Sequence, residues 1–213
     1  MRVLPRFLTV AGGVAAALSC AALTNAYAAT PLSQGHVDVI AVEVSGGAFD
    51  VHVHDETNEV EYDPADVTLV ALPGSAYTVP SSSCYGFLGT GGSTVYRLPQ
   101  IENTNLLWPG IAAEIEDGVL QNDALTIELT SVSGPGNVSI YTNSFCPAFT
   151  RLVDSGNGIS TADRFTLDSH EHLHANWAFT KAGAYTVGFT VRGTLANGTP
   201  LAPVTEEFTF SVG

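Results

Sequence analysis

All six histidines of this chain fall in three places. His36 stands alone in Gly35-His36-Val37-Asp38. His52 and His54 alternate in Val51-His52-Val53-His54-Asp55. His170, His172 and His174 alternate in Ser169-His170-Glu171-His172-Leu173-His174. An extended strand sends residues i and i+2 to one face, about 6.6 Å apart along the chain. Two imidazoles at that spacing can lean onto one ion, with metal–nitrogen bonds of about 2.0–2.1 Å. A lone His-x-His also arises by chance on a polar sheet face. A pair, a triple and a further His together carry more weight. Imidazole suits zinc, copper, nickel and iron. Asp38, Asp55 and Glu171 are candidate extra ligands, or partners that orient a ring N–H. Asp55 directly follows the His pair and so points off its face, where a turn role serves equally well.

The same residues say less for catalysis. Three histidines with an open metal position would suit hydrolysis or hydration. The chain has no Gly-x-Ser-x-Gly, no His-Glu-x-x-His and no Cys/His pairing that argues for nucleophilic chemistry. Glu171 and Glu56 are the nearest acids to serve as a base, and neither sits in a defining pattern. A site with few open positions fits storage, sensing or transfer, and no enzyme is expected.

Positioning such ligands falls to strands. Period-two alternation runs through His36–Val44 and, after Gly46-Gly47, through Phe49–His54, which predicts a hairpin. Further strands are expected at Val67–Leu72, Ala124–Val132, Asn137–Tyr141, Tyr185–Val191 and Glu206–Val212. Pro73-Gly74, Gly134-Pro135-Gly136 and Asn197-Gly198 punctuate them. Ile111–Ile115, closed by Gly118, is the one candidate helix. Pro80–Gly110 reads as a long irregular insertion, pinned by Cys84. Trp108, Trp177 and Phe179 are expected in the core, with a hydrophobic wall beside a metal as the functional alternative. Lys181-Ala182-Gly183-Ala184-Tyr185 suits an immunoglobulin-like corner tied by the Tyr185 hydroxyl. The fold class is therefore all-β: an immunoglobulin-like β-sandwich with a long irregular insertion and at most one short helix.

The N-terminus bounds the compartment. Arg2 and Arg6 precede an apolar run from Phe7 to Leu23 that ends in Ala26-Tyr27-Ala28, the pattern of a signal peptide over residues 1–28. The run is short for a membrane span. A lipoprotein acylated at Cys20 is a minor alternative, since apolar residues follow Cys20. Removing the leader takes two of the seven basic residues and none of the 21 acids, leaving a net charge of about −16 with His neutral. So acidic a chain repels phosphate backbones and argues against nucleic acid as a partner. Cys84 and Cys146 remain, and an even count in an oxidising compartment predicts one disulfide. Residues 29–213 suit one domain. No second apolar span and no Leu-Pro-x-Thr-Gly signal lies near Gly213, so a freely secreted form is expected, without stable membrane insertion.

Several of these segments recur in a known family. They are Gly35-His36-Val37-Asp38, Val51-His52-Val53-His54-Asp55-Glu56, Phe87-Leu88-Gly89, Leu98-Pro99-Gln100, Leu107-Trp108-Pro109-Gly110, Gly134-Pro135-Gly136, and His172-Leu173-His174-Ala175-Asn176-Trp177-Ala178-Phe179-Thr180 with Gly183-Ala184-Tyr185. In these, and in their order over nearly the whole mature chain, the sequence resembles the actinobacterial surface-anchored repeat domain of the choice-of-anchor type. The resemblance implies a secreted or cell-wall-associated domain that serves as receptor or relay for an ABC importer of the zinc/manganese type. Its partner there would be the importer's substrate-binding protein. Carried over residue by residue, the ligands are His36, His54 (with His52 as the alternative in the same motif), His172 and His174; His170 lies outside the motif. The expectation is one divalent transition metal, zinc ahead of copper. The runner-up is a metal-free structural or adhesive sandwich that mediates protein interactions, and a metalloenzyme stands third.

Overall fold

The computed structural model describes residues 28–142, 146 and 149–213. The expected leader lies outside the described residues, except for Ala28. The first strands are β1 (Thr30–Leu32), β2 (Gly35–Ser45), β3 (Ala48–Asp55), β4 (Val60–Tyr62), β5 (Val67–Ala71) and β6 (Ala76–Thr78). The middle of the chain forms β7 (Thr94–Leu98), β8 (Leu107–Ala113), β9 (Ala124–Ser133), β10 (Val138–Thr142) and β11 (Thr150–Asp154). It ends with β12 (Arg164–Asp168), β13 (His172–His174), β14 (Asn176–Phe179), β15 (Gly183–Arg192) and β16 (Val204–Val212). Helical structure among the described residues is confined to single 3-10 turns.

The strands form three sheets, ordered β1-β5-β16-β15-β9-β12, β11-β10-β14-β7-β6 and β13-β8-β2-β3-β4. The fold is all-β and sandwich-like, because alternate apolar residues of all three sheets meet in one core. Val37, Val53 and Ile111 enter it from the third sheet, Leu69 and Phe208 from the first, and Ile140 and Trp177 from the second. Trp177 and Phe179 are fully buried, as expected, and pack on Phe210 at ring distances of 5.7 and 5.0 Å. The expected corner forms: the Tyr185 hydroxyl donates to the Lys181 carbonyl at 2.8 Å. Cys84 and Cys146 form the disulfide, with Cα atoms 6.0 Å apart. It closes over a smaller apolar cluster that includes Tyr85, Leu88 and Tyr141.

Three local expectations differ from the structure. Ile111–Ile115 is not a helix: Ile111–Ala113 complete β8, which pairs parallel with β2 and antiparallel with β13. Every β8 residue except Trp108 is buried, and a continuous apolar run of that length fits an internal strand as well as a short helix. Pro109 sits just beyond the run that β13 pairs, where a missing N–H is tolerated. Pro80–Gly110 is not irregular throughout, since it contributes β7 and the start of β8. Finally, Trp108 is only half-buried and lies beside the histidines rather than in the core.

Candidate metal centre

The sheet β13-β8-β2-β3-β4 carries the histidines on the face away from the core. Gly110 of β8 pairs with His174 on one side and Asp38 on the other, and Asp38 in turn pairs with His54 of β3. Ala112 pairs with His172 and with Ala41, and Ala41 pairs with His52. Directly opposed residues project from the same face. Two rows therefore cross the sheet, polar at both ends and nearly bare over β8. Adjacent strands lie about 4.8 Å apart, so β13 and β2 are about 9.5 Å apart. Side chains from both can meet only if the strand between them offers no bulk. Gly110 meets that need: a β-carbon there would collide with Asp38 Oδ1 and lie 2.9 Å from His172 Nε2. A register shift in β2 just after Asp38 re-aims the strand beyond the site.

His36, His172 and His174 converge over Gly110, and each offers a ring nitrogen within 4.8 Å of the others. His36 Nε2 and His172 Nε2 are 3.0 Å apart. Asp38 Oδ1 lies 2.7 Å from His172 Nε2 and 3.2 Å from His36 Nε2. Two nitrogens bound to one tetrahedral ion at 2.0–2.1 Å would stand about 3.3 Å apart. The ring atoms thus stand close to ligand spacing. His174 Nδ1 donates to the Pro109 carbonyl at 3.0 Å. A carbonyl only accepts, so the proton is fixed on Nδ1 and Nε2 is left with its lone pair free for an ion. The Trp108 ring stacks on His174 at 3.8 Å and 5°, and its Nε1 donates to the Gln100 carbonyl at 2.9 Å. Trp108 is thus an apolar wall that orients the His174 ring.

His52 and His54 form a separate group with Glu114, again with donor atoms within 4.8 Å of one another. His54 Nδ1 donates to Glu114 Oε1 at 3.1 Å and lies 3.4 Å from Glu56 Oε1. His54 therefore stands apart from the three histidines expected to share its ion, although it lines the same shallow cleft as Asp38 and His172. His170 takes a left-handed turn conformation and faces Glu116 and Asp117 at 3.5 and 3.9 Å. Of the carboxylates weighed as ligands, Asp55 caps a turn by accepting from the Thr57 and Asn58 amides. Glu171 likewise accepts from the Asp168 amide.

The electrostatics follow the contacts. The hydrogen bond to Asp38 pushes the His172 pKa above 6.5, against an opposing effect of burial. Burial pulls His54 down, but Glu114 as hydrogen-bond partner and the charges of Glu56, Glu114 and Glu61 outweigh it, so its net shift is upward. Burial moves His174 downward, and His36 and His172 push the same way.

No protein-family model, no curated protein and no solved structure matches this chain. The resemblance to the surface-anchored repeat domain stands on the quoted segments alone.

Sequence reasoning weighed Asp38 and Glu56 but passed over Glu114, which lay at the end of the expected helix. Read as a strand, Trp108, Gly110, Ala112 and Glu114 alternate on one face, and that parity was the available signal.

Proposed function

We propose that this chain is an extracellular carrier of one divalent transition metal, zinc ahead of copper, held by His36, His172, His174 and Asp38. The observation that carries the reading is the meeting of His36 Nε2, His172 Nε2 and Asp38 Oδ1 within 3.2 Å of one another over Gly110. Three imidazoles and a carboxylate complete a tetrahedral shell. A closed shell favours holding and passing on an ion over catalysis. The signal-peptide pattern and the disulfide support an extracellular setting. No helix among the described residues is long and apolar enough to cross a membrane. The resemblance supports a role as receptor or relay for a metal ABC importer, with the importer's substrate-binding protein as partner.

The test is calorimetric titration of the metal-free full chain with Zn²⁺ and Cu²⁺. Binding tighter than about micromolar is expected, together with its loss in a His172→Ala/His174→Ala double variant. Weaker binding, or binding unchanged in that variant, overturns the reading.

A further inference from the structure

Beside the proposed ion lies a second set of donors. His52, His54 and Glu114 offer one ligand atom each within 4.8 Å, and so do Asp38, Glu56 and Glu114. Asp38 and Glu114 thus tie the two histidine groups into one continuous cluster. Two atoms in it lack partners. Asp38 is fully buried, and its Oδ2 has no hydrogen bond, although Oδ1 is bonded to His172 Nε2 at 2.7 Å and lies 3.2 Å from His36 Nε2. His52 is buried, and its Nε2 is also without a partner. A buried carboxylate oxygen without a donor is costly, and two further carboxylates, each offering an oxygen within 4.8 Å, raise the cost. No Lys or Arg pairs with Asp38, Glu56 or Glu114 among the described residues. Basic side chains do not supply the countercharge, which leaves it to histidinium or to bound cations.

We infer that this face holds a second divalent transition metal, ligated by His52, His54 and Glu114 and joined to the first ion by the Asp38 carboxylate. Oδ1 of Asp38 faces the first ion, and the free Oδ2 serves the second. The second ion displaces the proton that His54 Nδ1 shares with Glu114 Oε1, whose 3.1 Å separation is close to that of two donors on one ion. Glu56, 3.4 Å from His54, completes or screens the shell. The donor mix of imidazole and carboxylate suits zinc, and it is harder than that of the first site. The inference rests on the first site through the shared Asp38.

The probe is Zn²⁺, with stoichiometry read by native mass spectrometry and calorimetry on the full chain. Two equivalents are expected for the unaltered protein and one for Glu114→Gln, which alters a partly exposed side chain and leaves the first site whole. His52→Ala should also bind one. Asp38→Asn should weaken both ions by tenfold or more, whereas two unconnected sites would lose only one. Loaded with Cu²⁺, the protein should give the paramagnetic resonance of a magnetically coupled pair. A single equivalent, lost in the His172→Ala/His174→Ala variant but unaffected by Glu114→Gln, overturns the second site and leaves the proposed carrier function standing. Two equivalents retained in both Glu114→Gln and His52→Ala overturn the ligand assignment. No binding at all overturns both proposals.

Discussion

Gly110→Ala places a methyl group at the point where the ligands from β2 and β13 meet. The added carbon collides with Asp38 Oδ1 and comes within 2.9 Å of His172 Nε2. Asp38 is fully buried and cannot swing into solvent, so either its carboxylate or the strand must shift. Disturbing only the groups behind a ligand costs about 10–100-fold in metal affinity. Here a ligand oxygen itself is displaced and His172 loses its anchor. The expected loss in Zn²⁺ affinity is therefore about 100-fold or more, equivalent to about 2.7 kcal/mol. Stability responds less. Alanine in a strand gains about 0.5–1 kcal/mol over glycine, while overpacking costs about 1–3 kcal/mol. The metal-free variant should therefore lose about 1 kcal/mol. Calorimetric titration and urea unfolding of the metal-free protein read the two effects separately. An affinity within about threefold of the unaltered protein, with unfolding unchanged, would refute the placement of the ion over Gly110.

Metal affinity should fall with acidity from above pH 6.5, because binding needs neutral imidazoles and His172 is shifted upward; titrations across pH 5–8 check this, and a level response down to about pH 5 would point to carboxylate ligands. In the metal-free protein, His54 and His172 titrate above 6.5, so the stability they contribute is full below that value and fades as pH rises through their higher folded values; His174, shifted downward, acts in the opposite sense. Urea unfolding at pH 5.5 and 8.5, with and without His172→Ala, should show the alkaline loss shrink in the variant. Cu²⁺ should quench the fluorescence of Trp108, which stacks on His174, and leave buried Trp177 emitting; Trp108→Phe should abolish most of the quench. Reducing Cys84–Cys146, whose partners are separated by 62 positions in sequence, should cost up to about 4 kcal/mol of stability in the loop-entropy account while leaving Zn²⁺ affinity intact. Tyr185→Phe should cost about 1 kcal/mol through loss of the hydroxyl bond to Lys181, seen as a lower unfolding midpoint.

Local pattern carried much of the fold. Alternation located β2, β3, β9, β15 and β16 within a residue or two, because each presents one apolar face to the core. It failed at β8, where Leu107, Pro109, Gly110 and Ile111 are all buried, so hydrophobicity does not alternate with the strand's side-chain parity. The alternation of His172 and His174 does fall on a strand, β13, but its three residues say nothing of which strand they pair with. The site was legible in the types and parity of its histidines, but their partition was not. His54 and His174 share a row of the sheet, yet Asp38 and Gly110 stand between them, and strand order is a long-range property that spacing does not encode. Glu114 lay hidden for the same reason that β8 did.

β13 is the shortest of the histidine-bearing strands and forms the margin of its sheet, held along one side only by β8. Edges of this kind fray at a free energy well below that of global unfolding. An ion clasped by His172 and His174 pins that margin to β2 two strands away, so loading would appear as slowed amide exchange at Leu173 and its neighbours. Departure of the ion then requires three residues to peel back, with the aromatic core around Trp177 undisturbed. Residence time and overall stability thus become separate quantities, and mutations along the margin can change the rate of handover while the sandwich keeps its melting point.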